Sequence, residues 1–426
     1  MFFKHSKSYN FNHSIIWIAL TLIAWSPHIG LDYVYTESNG ASHSLMGGQF
    51  YFFIATILAG MILFLKGDRL RLILLLRDKV LTISLALIFL GSMLSNATLW
   101  NWRLLIILLV ISSCSVFVAN IIYDFDNKSQ KLAIILFTTP FAFPVLASLI
   151  LHFFGPLDLG VIFENSTHKN YSPERWHFLN SSANGFGLDA AITCVTTYYF
   201  LRKQALPIYI LIMSLLFIAS VWVLVQSGTR AAYVFLIATV AMYEFLISNN
   251  RLLKIKIVSV LISIIGFVFV YGLDNLLMRL RIKGNLTTIS SGRYTGMVDL
   301  WELFLQSPFI GSGFGAADYG LAVNPSNLFY FGILAEIGIF GAVGVVLLMF
   351  YPLFLQFSRR IQGLQSLDIN NNQFYLWGTC IHAGFVPYLI FEFNVFRVSS
   401  ANQLFFICLI ASIAFALEKR KNAHKK

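Results

Sequence analysis

Long apolar runs separated by short polar segments recur along the whole chain, and this pattern predicts its fold. A bilayer core of about 30 Å requires roughly 20 apolar residues per helix, and runs near that length follow one another from end to end. We predict a membrane-spanning helix in each of twelve runs. They lie near residues 14–31, 49–65, 80–95, 104–122, 132–154, 186–201, 206–225, 231–248, 255–272, 328–357, 373–391 and 402–417.

The composition also indicates an all-α integral membrane protein. Hydrophobic residues make up 58% of the 426 residues, charged residues only 12%, and the mean hydropathy is +0.74. These values exclude a soluble globular domain with an ordinary polar surface. The net charge of +11 comes without a basic helix or an aromatic RNA-binding motif, so we expect no nucleic-acid partner. The cysteines all lie in predicted spans, which argues against disulfides and thiolate zinc sites: Cys114, Cys194, Cys380 and Cys408.

The distribution of basic residues predicts the orientation in the membrane. Lys4 and Lys7 precede the first run and no small-x-small cleavage site follows it, so we interpret this run as an anchor with a cytoplasmic amino terminus. With the spans alternating from there, more than two thirds of the 30 Lys and Arg residues lie on the cytoplasmic side, as the positive-inside rule expects. Both termini are then cytoplasmic. The chain forms a single polytopic membrane domain, residues 1–426, with long outer loops at 155–185 and 273–327.

Two arginines on the predicted outer side lie in unusual surroundings. Arg230 ends the tight Ser-Gly-Thr-Arg turn of residues 227–230, and Arg293 follows Ser-Ser-Gly at residues 290–292. Arginine at the membrane centre costs up to ~2.5–3.5 kcal/mol on insertion scales, so its retention near lipid indicates a partner. That partner is either a phosphate, which accepts two parallel hydrogen bonds from the planar guanidinium, or a carboxylate of this chain. The candidate carboxylates are Asp299, Glu302 and Glu336.

The segment after Arg293 predicts an amphipathic helix lying in the outer interface. Its apolar stripe consists of Met297, Leu300, Trp301, Phe304 and Leu305. A turn rich in helix breakers, Ser-Pro-Phe-Ile-Gly-Ser-Gly, follows at residues 307–313. Ser326 and Asn327 then open the tenth span, which carries Glu-Ile-Gly-Ile-Phe-Gly at residues 336–341.

This stretch resembles the signature region of the O-antigen ligase and polymerase superfamily. The shared order is an arginine, an interfacial tryptophan helix, a Pro-hydrophobic-hydrophobic-Gly-x-Gly turn and a Glu-hydrophobic-Gly-hydrophobic-hydrophobic-Gly helix. Residues 227–232 (Ser-Gly-Thr-Arg-Ala-Ala) resemble the upstream arginine turn of the family, and residues 184–187 (Asn-Gly-Phe-Gly) resemble its entry to span six. The resemblance implies a GT-C-like glycosyltransferase of the bacterial inner membrane that uses undecaprenyl-diphosphate-linked glycans at the periplasmic face.

The resemblance also implies roles for particular residues. Arg230 and Arg293 match arginines that bind the diphosphate, and Asn184 and Asn327 match asparagines of the motifs; no metal or cofactor is required. The ligases carry a histidine where this chain has Ser326, so we favour a polymerase over a ligase that transfers polymer to lipid A-core. The implied partners are lipid-linked glycan donor and acceptor, membrane lipid and a regulator of chain length.

The group that accepts the proton of the attacking hydroxyl is less well defined. Glu336 lies nine residues past Asn327, roughly 14 Å into the membrane, where it serves either as this base or as an ion-pair partner that holds the fold. Alternative bases are His177, Glu174, Asp318, Glu392 and His382. Arg175 and His177, in the long outer loop at 155–185, are candidate sugar-binding residues. A competing class is a twelve-span transporter or flippase for lipid-linked oligosaccharides.

Overall fold

The computed structural model describes residues 10–31, 46–66, 78–94, 99–154, 163–164, 175–176, 183–203, 207–247, 293–313, 329–361, 372–391 and 400–423. These ranges contain twelve α-helices and one two-stranded ladder. The helices are α1 (Asn10–Leu31), α2 (Met46–Lys66), α3 (Lys79–Leu94), α4 (Leu99–Tyr123), α5 (Asn127–Phe154), α6 (Ala183–Leu201), α7 (Pro207–Ser227), α8 (Arg230–Ile247), α9 (Arg293–Gln306), α10 (Phe329–Ile361), α11 (Gln373–Phe391) and α12 (Ser400–Ala423). The strands are β1 (Phe163–Glu164) and β2 (Arg175–Trp176).

Helices occupy eleven of the twelve predicted spans, and α9 occupies the segment predicted to form an amphipathic helix. The ninth predicted span, residues 255–272, lies outside the described residues. Among the described helices, α5, α7, α8 and α10 contain stretches long and apolar enough to cross a membrane. The main body is therefore that of a helical membrane protein. The total of twelve spans, the GT-C-like arrangement and the outer position of the loops stay predictions.

A short β-ladder adds to the helical fold and was not predicted. Strands β1 and β2 pair antiparallel, with Phe163 opposite Trp176 and Glu164 opposite Arg175. Two residues per strand are too few for a hydrophobic alternation, so the sequence pattern carried no signal for them. Strand β2 contacts α6 and α7. The ladder thus places the backbone of Arg175 against two helices of the bundle.

Helix α11 lies in the core of the bundle, where it packs against α5, α6, α8, α10 and α12. Its aromatic residues Phe374, Trp377 and Phe385 are at most 1% exposed. The ring of Phe385 meets that of Phe235 on α8 edge-on, with the centroids 5.1 Å apart, an arrangement that the ring quadrupoles favour. Because α11 is surrounded by helices, the contacts of its residues show which other helices lie close together.

Helix α7 forms an apolar outer edge of the bundle. One stripe along it is exposed although every member is apolar: Ile208, Leu211, Leu215, Ile218, Trp222 and Val225. A continuous apolar surface of this size would be unfavourable in water, whereas acyl chains cover it without cost. The pattern is that of a helix facing lipid.

Polar side chains within the bundle bond to neighbouring helices. The Gln356 side-chain amide on α10 donates to the backbone carbonyl of Ser412 at 3.2 Å and to Oγ1 of Thr379 at 3.4 Å. The Trp377 indole donates to Oγ1 of Thr196 at 3.0 Å. Such bonds offset the cost of burying polar groups away from water and tie α6, α10, α11 and α12 together. The four cysteines are buried free thiols, as predicted.

An ion pair joins α6 to α8 at the end predicted to be cytoplasmic. The guanidinium of Arg202 donates through two nitrogens to the two carboxylate oxygens of Glu244, each at 3.1 Å. The hydroxyl of Tyr198 donates to the same carboxylate. Bonding to Glu244 raises the pKa of Arg202 above its ordinary value. Because Glu244 is buried and Arg202 is half exposed, the pair anchors a buried carboxylate rather than a surface charge.

Lys203 is expected to make stability depend on pH. Burial, and secondarily the charge of Lys131, lowers the pKa of Lys203 to about 8, whereas an unfolded lysine titrates near ~10.4. A lowered lysine pKa gives stability that is present above the unfolded pKa and is lost as pH falls through the folded pKa. In detergent, the melting temperature of the wild type should therefore fall relative to Lys203→Met between about pH 10.4 and 8. Parallel melting profiles of the two proteins would contradict this expectation.

Candidate functional site

Two motifs that are separated by about forty residues in the sequence meet in the structure. The 184–187 segment opens α6, and the 227–230 turn links α7 to α8. A methyl group on Gly187 would lie 2.6 Å from Cβ and Oγ1 of Thr229 and 2.7 Å from Oγ of Ser227. Only a residue without a side chain allows this approach. The contact places Asn184 and Arg230 at the same end of the bundle.

The 227–230 turn has buried Ser227 and Thr229 side chains, and its arginine is exposed. The hydroxyl of Ser227 donates to the carbonyl of Leu224 at 2.8 Å, and Thr229 is 1% exposed. Arg230 is exposed and is the first residue of α8. The first N–H groups of a helix lack partners within the helix, and the macrodipole makes this end positive. The backbone and the side chain at Arg230 therefore both favour an anion.

Arg293 occupies the same position in another helix, since it is the first residue of α9. Helix α9 packs on the first part of α10 through a small apolar cluster. Its members are Leu300, Leu303, Phe304, Phe331 and Ala335. Trp301 and Leu305, which the sequence pattern placed on the same stripe, are instead 46% and 58% exposed. Leu303 takes part in the packing because α9 presents one apolar side to α10 and another to its surroundings.

Helix α10 is broken inside the predicted tenth span. Gly338 has φ 64° and ψ −173°, a conformation outside the helical region, so the helix consists of two segments on either side of this residue. The predicted span over residues 328–357 coincides with α10, and the break at Gly338 inside it was not predicted. A residue with a side chain rarely adopts this backbone conformation, and glycine adopts it without strain.

The 307–313 turn supplies the backbone bonds that the break leaves open. The N–H of Ile339 donates to the carbonyl of Pro308, the N–H of Ser312 to Ala335 and the N–H of Gly313 to Glu336, each at 2.9 Å. Irregular backbone at membrane depth is tolerated where protein satisfies its polar groups. We call this contact between the 307–313 turn and residues 335–339 the joint.

The joint requires a glycine on each side. A methyl group on Gly311 would overlap the carbonyl of Glu336, and one on Gly338 would overlap the carbonyl of Phe309. Gly311 also has a positive φ of 75°. On the far side of the break, a methyl group on Gly91 of α3 would lie 2.6 Å from the carbonyl oxygen of Ile337. The break is thus enclosed by backbone from the turn and from α3.

Glu336 lies at the joint and is 2% exposed. Its backbone carbonyl accepts the bond from Gly313, so its position is fixed by the turn as well as by α10. The sequence had placed it in the middle of a regular helix.

Helix α11 connects the two parts of the candidate site. The hydroxyl of Tyr330, near the start of α10, donates to the carbonyl of Val386 at 3.0 Å. The ring of Phe235, five residues after Arg230, lies 6.2 Å from that of Tyr388. The starts of α8 and α10 therefore flank the same end of α11. The close approach of Arg230 and Arg293 stays a prediction, since the structure describes only the backbone at Arg293.

Several predicted site residues lie outside the described residues. They are Ser326, Asn327 and His177, together with the alternative bases Glu174, Asp318 and Glu392. His382 is described and is fully buried on α11, with its ring 5.9 Å from that of Phe405.

The second carboxylate of the Asp-x-Asp pair at residues 124 and 126 caps helix α5. The Oδ1 atom of Asp126 accepts the N–H of Ser129 at 3.1 Å, which satisfies a free donor in the first turn of α5. Bonding to Ser129 lowers the pKa of Asp126. Within the described part of the chain, no group of three His, Cys, Asp or Glu side chains is arranged to hold a metal ion.

Part of the chain matches one known protein family. Residues 215–346 match the family model described as O-antigen ligase, a stretch that covers less than half of the chain and contains Arg230, Arg293, the joint and Glu336. No curated protein matches the chain. The match supports a membrane enzyme of the glycosyltransferase type. It confirms the resemblance of this chain to the O-antigen ligase and polymerase superfamily.

Proposed function

We propose that this protein polymerises lipid-linked repeat units of O-antigen or a related surface polysaccharide. The reaction takes place at the periplasmic face of a bacterial inner membrane. The donor is a glycan linked to undecaprenyl diphosphate, and the acceptor is a hydroxyl group of another lipid-linked repeat unit. The enzyme inverts the anomeric configuration and works without a metal ion.

The positions of Arg230 and Arg293 support this proposal most directly. Each is the first residue of a helix, and both belong to the stretch that matches the family. A helix start offers free N–H groups and positive potential, and arginine adds a planar pair of donors that fits phosphate oxygens. Two such ends suit the two phosphates of a diphosphate leaving group. A lipid diphosphate also carries its charge at the membrane boundary, where the topology predicts these arginines.

In the proposed reaction, the acceptor oxygen attacks the anomeric carbon of the donor from the face opposite the diphosphate. The bond between that carbon and the diphosphate oxygen breaks as the new glycosidic bond forms, so the configuration inverts. Arg230 and Arg293 stabilise the negative charge that develops on the leaving oxygen. The hydroxyl proton passes to the carboxylate of Glu336.

A ligase reaction is the second candidate, because the matching family model is described as O-antigen ligase. The two reactions share the lipid-diphosphate donor and differ in the acceptor, which for the ligase is lipid A-core. Ser326 favours the polymerase, since the ligases carry a histidine at this position and serine alone does not accept a proton at neutral pH. Asn184, at the start of α6, lies with Arg230 and belongs to the substrate-binding residues of either reaction.

A deletion strain analysed by gel electrophoresis of its surface glycan tests the proposal. Loss of a polymerase should leave single repeat units on the acceptor lipid, and the wild-type gene should restore the ladder of longer chains. Loss of a ligase would leave no repeat units there while polymer accumulates on the carrier lipid. Loss of a flippase would trap single units on the cytoplasmic side. Either of the last two patterns would contradict the polymerase assignment.

A further inference from the structure

We infer that Gly311 and Gly338 are positioning residues, and that the joint they form sets where Arg293 lies relative to Glu336. This inference rests on the proposed function, because it assigns both residues to one reaction. The observation behind it is that the 307–313 turn does not merely connect two helices. It ends α9 on one side and fills a break in α10 on the other.

The connection is short and made of backbone. Arg293 begins α9, and this helix is joined directly to the 307–313 turn at Gln306. Two donors of the turn, the N–H groups of Ser312 and Gly313, bond to the carbonyls of Ala335 and Glu336. A rigid helix therefore links Arg293 to the residue pair that includes Glu336. A shift of the turn by one ångström moves the arginine and the carboxylate relative to each other by about the same amount.

Side-chain packing alone would not hold this geometry. Among the side chains that the structure describes, the apolar cluster between α9 and α10 has two fully buried members, Leu300 and Ala335. The three backbone hydrogen bonds of the joint are directional, and they exist only while the turn lies within van der Waals distance of Gly338. The same contact is blocked by a methyl group from either side. Gly311→Ala and Gly338→Ala should consequently disturb one shared contact.

The effect on catalysis is expected in the rate rather than in donor binding. We expect most of the donor affinity to come from the glycan and the lipid tail, whereas the chemical step depends on the alignment of leaving group and base. A misplacement of about 1 Å can lower a rate by roughly 10²-fold. We therefore expect kcat to fall about 10²-fold in each variant and KM to stay within about threefold. The double variant should be no slower than the slower single variant, since both remove the same contact.

Gly296→Ala is the matched control. Gly296 lies on α9 three residues after Arg293, and among the described residues a methyl group there meets nothing within 4 Å. This variant makes the same chemical change on the same helix without touching the joint, so its kcat should equal that of the wild type. A comparable loss of rate in Gly296→Ala would overturn the inference.

Cross-linking gives a readout that does not depend on glycan chemistry. Phe309 of the turn and Phe340 of α10 are 62% and 45% exposed, and their ring centroids are 6.0 Å apart. A short thiol-reactive cross-linker should join Phe309→Cys to Phe340→Cys in membranes, and the natural cysteines are buried. Adding Gly338→Ala should lower the yield, whereas adding Gly296→Ala should not. A cross-linking yield unchanged by Gly338→Ala would show that the glycine is not needed to hold the 307–313 turn against α10.

The cross-linked protein with both glycines intact is the second arm of the test, and it needs no disruptive substitution. If the joint stays closed during the reaction, cross-linking leaves elongation unchanged. Inactivation by the cross-link would mean that the joint must open, and this result would overturn the inference. Normal elongation in Gly338→Ala despite a lost cross-link would also overturn the inference. Failure of the proposed function is seen separately, as a wild-type gene that restores no glycan chains, while the cross-link still forms.

Discussion

Replacing Arg230 or Arg293 with alanine is expected to lower glycan elongation by roughly 10²- to 10⁴-fold, while the protein inserts and accumulates normally. A guanidinium donates two parallel hydrogen bonds to phosphate oxygens, and each charge-assisted bond contributes about 1.5–3 kcal/mol net. Loss of both bonds as charge develops on the diphosphate removes about 3–6 kcal/mol of transition-state stabilisation. Since ~1.4 kcal/mol corresponds to a tenfold change in rate, the expected range follows.

Lysine at the same positions separates charge from geometry. Arg230→Lys keeps a positive charge at the start of α8 but loses the planar donor pair, so we expect elongation between that of the wild type and that of the alanine variant. Arg103→Ala, on α4 at the end predicted to face the periplasm, is the control for loss of an outer arginine and should elongate normally. Chain length is read from glycan gels and protein amount from immunoblots of membranes. Wild-type chain lengths in both alanine variants would remove these arginines from the reaction.

Hydropathy was sufficient to predict most of the helical body, because lipid imposes one rule on every span. A helix in the bilayer must be apolar over roughly 20 residues, and that requirement is visible in the sequence without knowledge of the partners. The helices α5, α7 and α8 therefore lie where the apolar runs predicted them. The β-ladder at residues 163–164 and 175–176 obeys no such rule, since it is too short to leave a pattern.

The break in α10 illustrates what the sequence pattern did not provide. Residues 336–341 are apolar apart from Glu336, and glycines occur often in membrane helices, so nothing local distinguishes Gly338 from Gly341. Gly341 continues the helix, whereas Gly338 breaks it because a turn from elsewhere in the chain docks against it. The sequence pattern identified the 307–313 turn and the 336–341 motif as two separate features. Their contact depends on tertiary structure, which a single sequence does not reveal.

The same reasoning applies to the contact between the 184–187 segment and the 227–230 turn. Each motif contains a glycine, which permits close approach to the backbone. In the structure Gly187 permits close approach of one helix to the turn that carries Arg230. Small residues at helix interfaces allow tight packing in membranes, where the hydrophobic effect does not drive helices together. A glycine in these motifs thus has a packing role beside the binding role that we propose for its neighbours.

The second large effect is expected from Glu336→Gln, which should lower kcat by about 10²- to 10⁴-fold, the usual contribution of a general base. Glutamine has nearly the same shape as glutamate, and the bond from the Gly313 N–H to the carbonyl of residue 336 is a backbone bond, so the joint should remain intact. A lower kcat in this variant would therefore result from loss of the carboxylate and not from displacement of the 307–313 turn. The Phe309→Cys and Phe340→Cys cross-link provides the control, because its yield should match that of the protein with Glu336.

Chemical rescue would separate proton transfer from an ion-pair role of Glu336. In Glu336→Ala, the lost side chain leaves room beside the break for a small carboxylate, and added formate should restore part of kcat in a concentration-dependent way if a free carboxylate accepts the proton. If Glu336 only holds an arginine in place, added formate should restore stability rather than kcat. The melting temperature is therefore measured in the same samples. Full kcat in Glu336→Gln would assign the proton to another group, of which His177 is the first to replace. The arginine pair would then still stabilise the leaving diphosphate, because that role does not depend on which residue takes the proton.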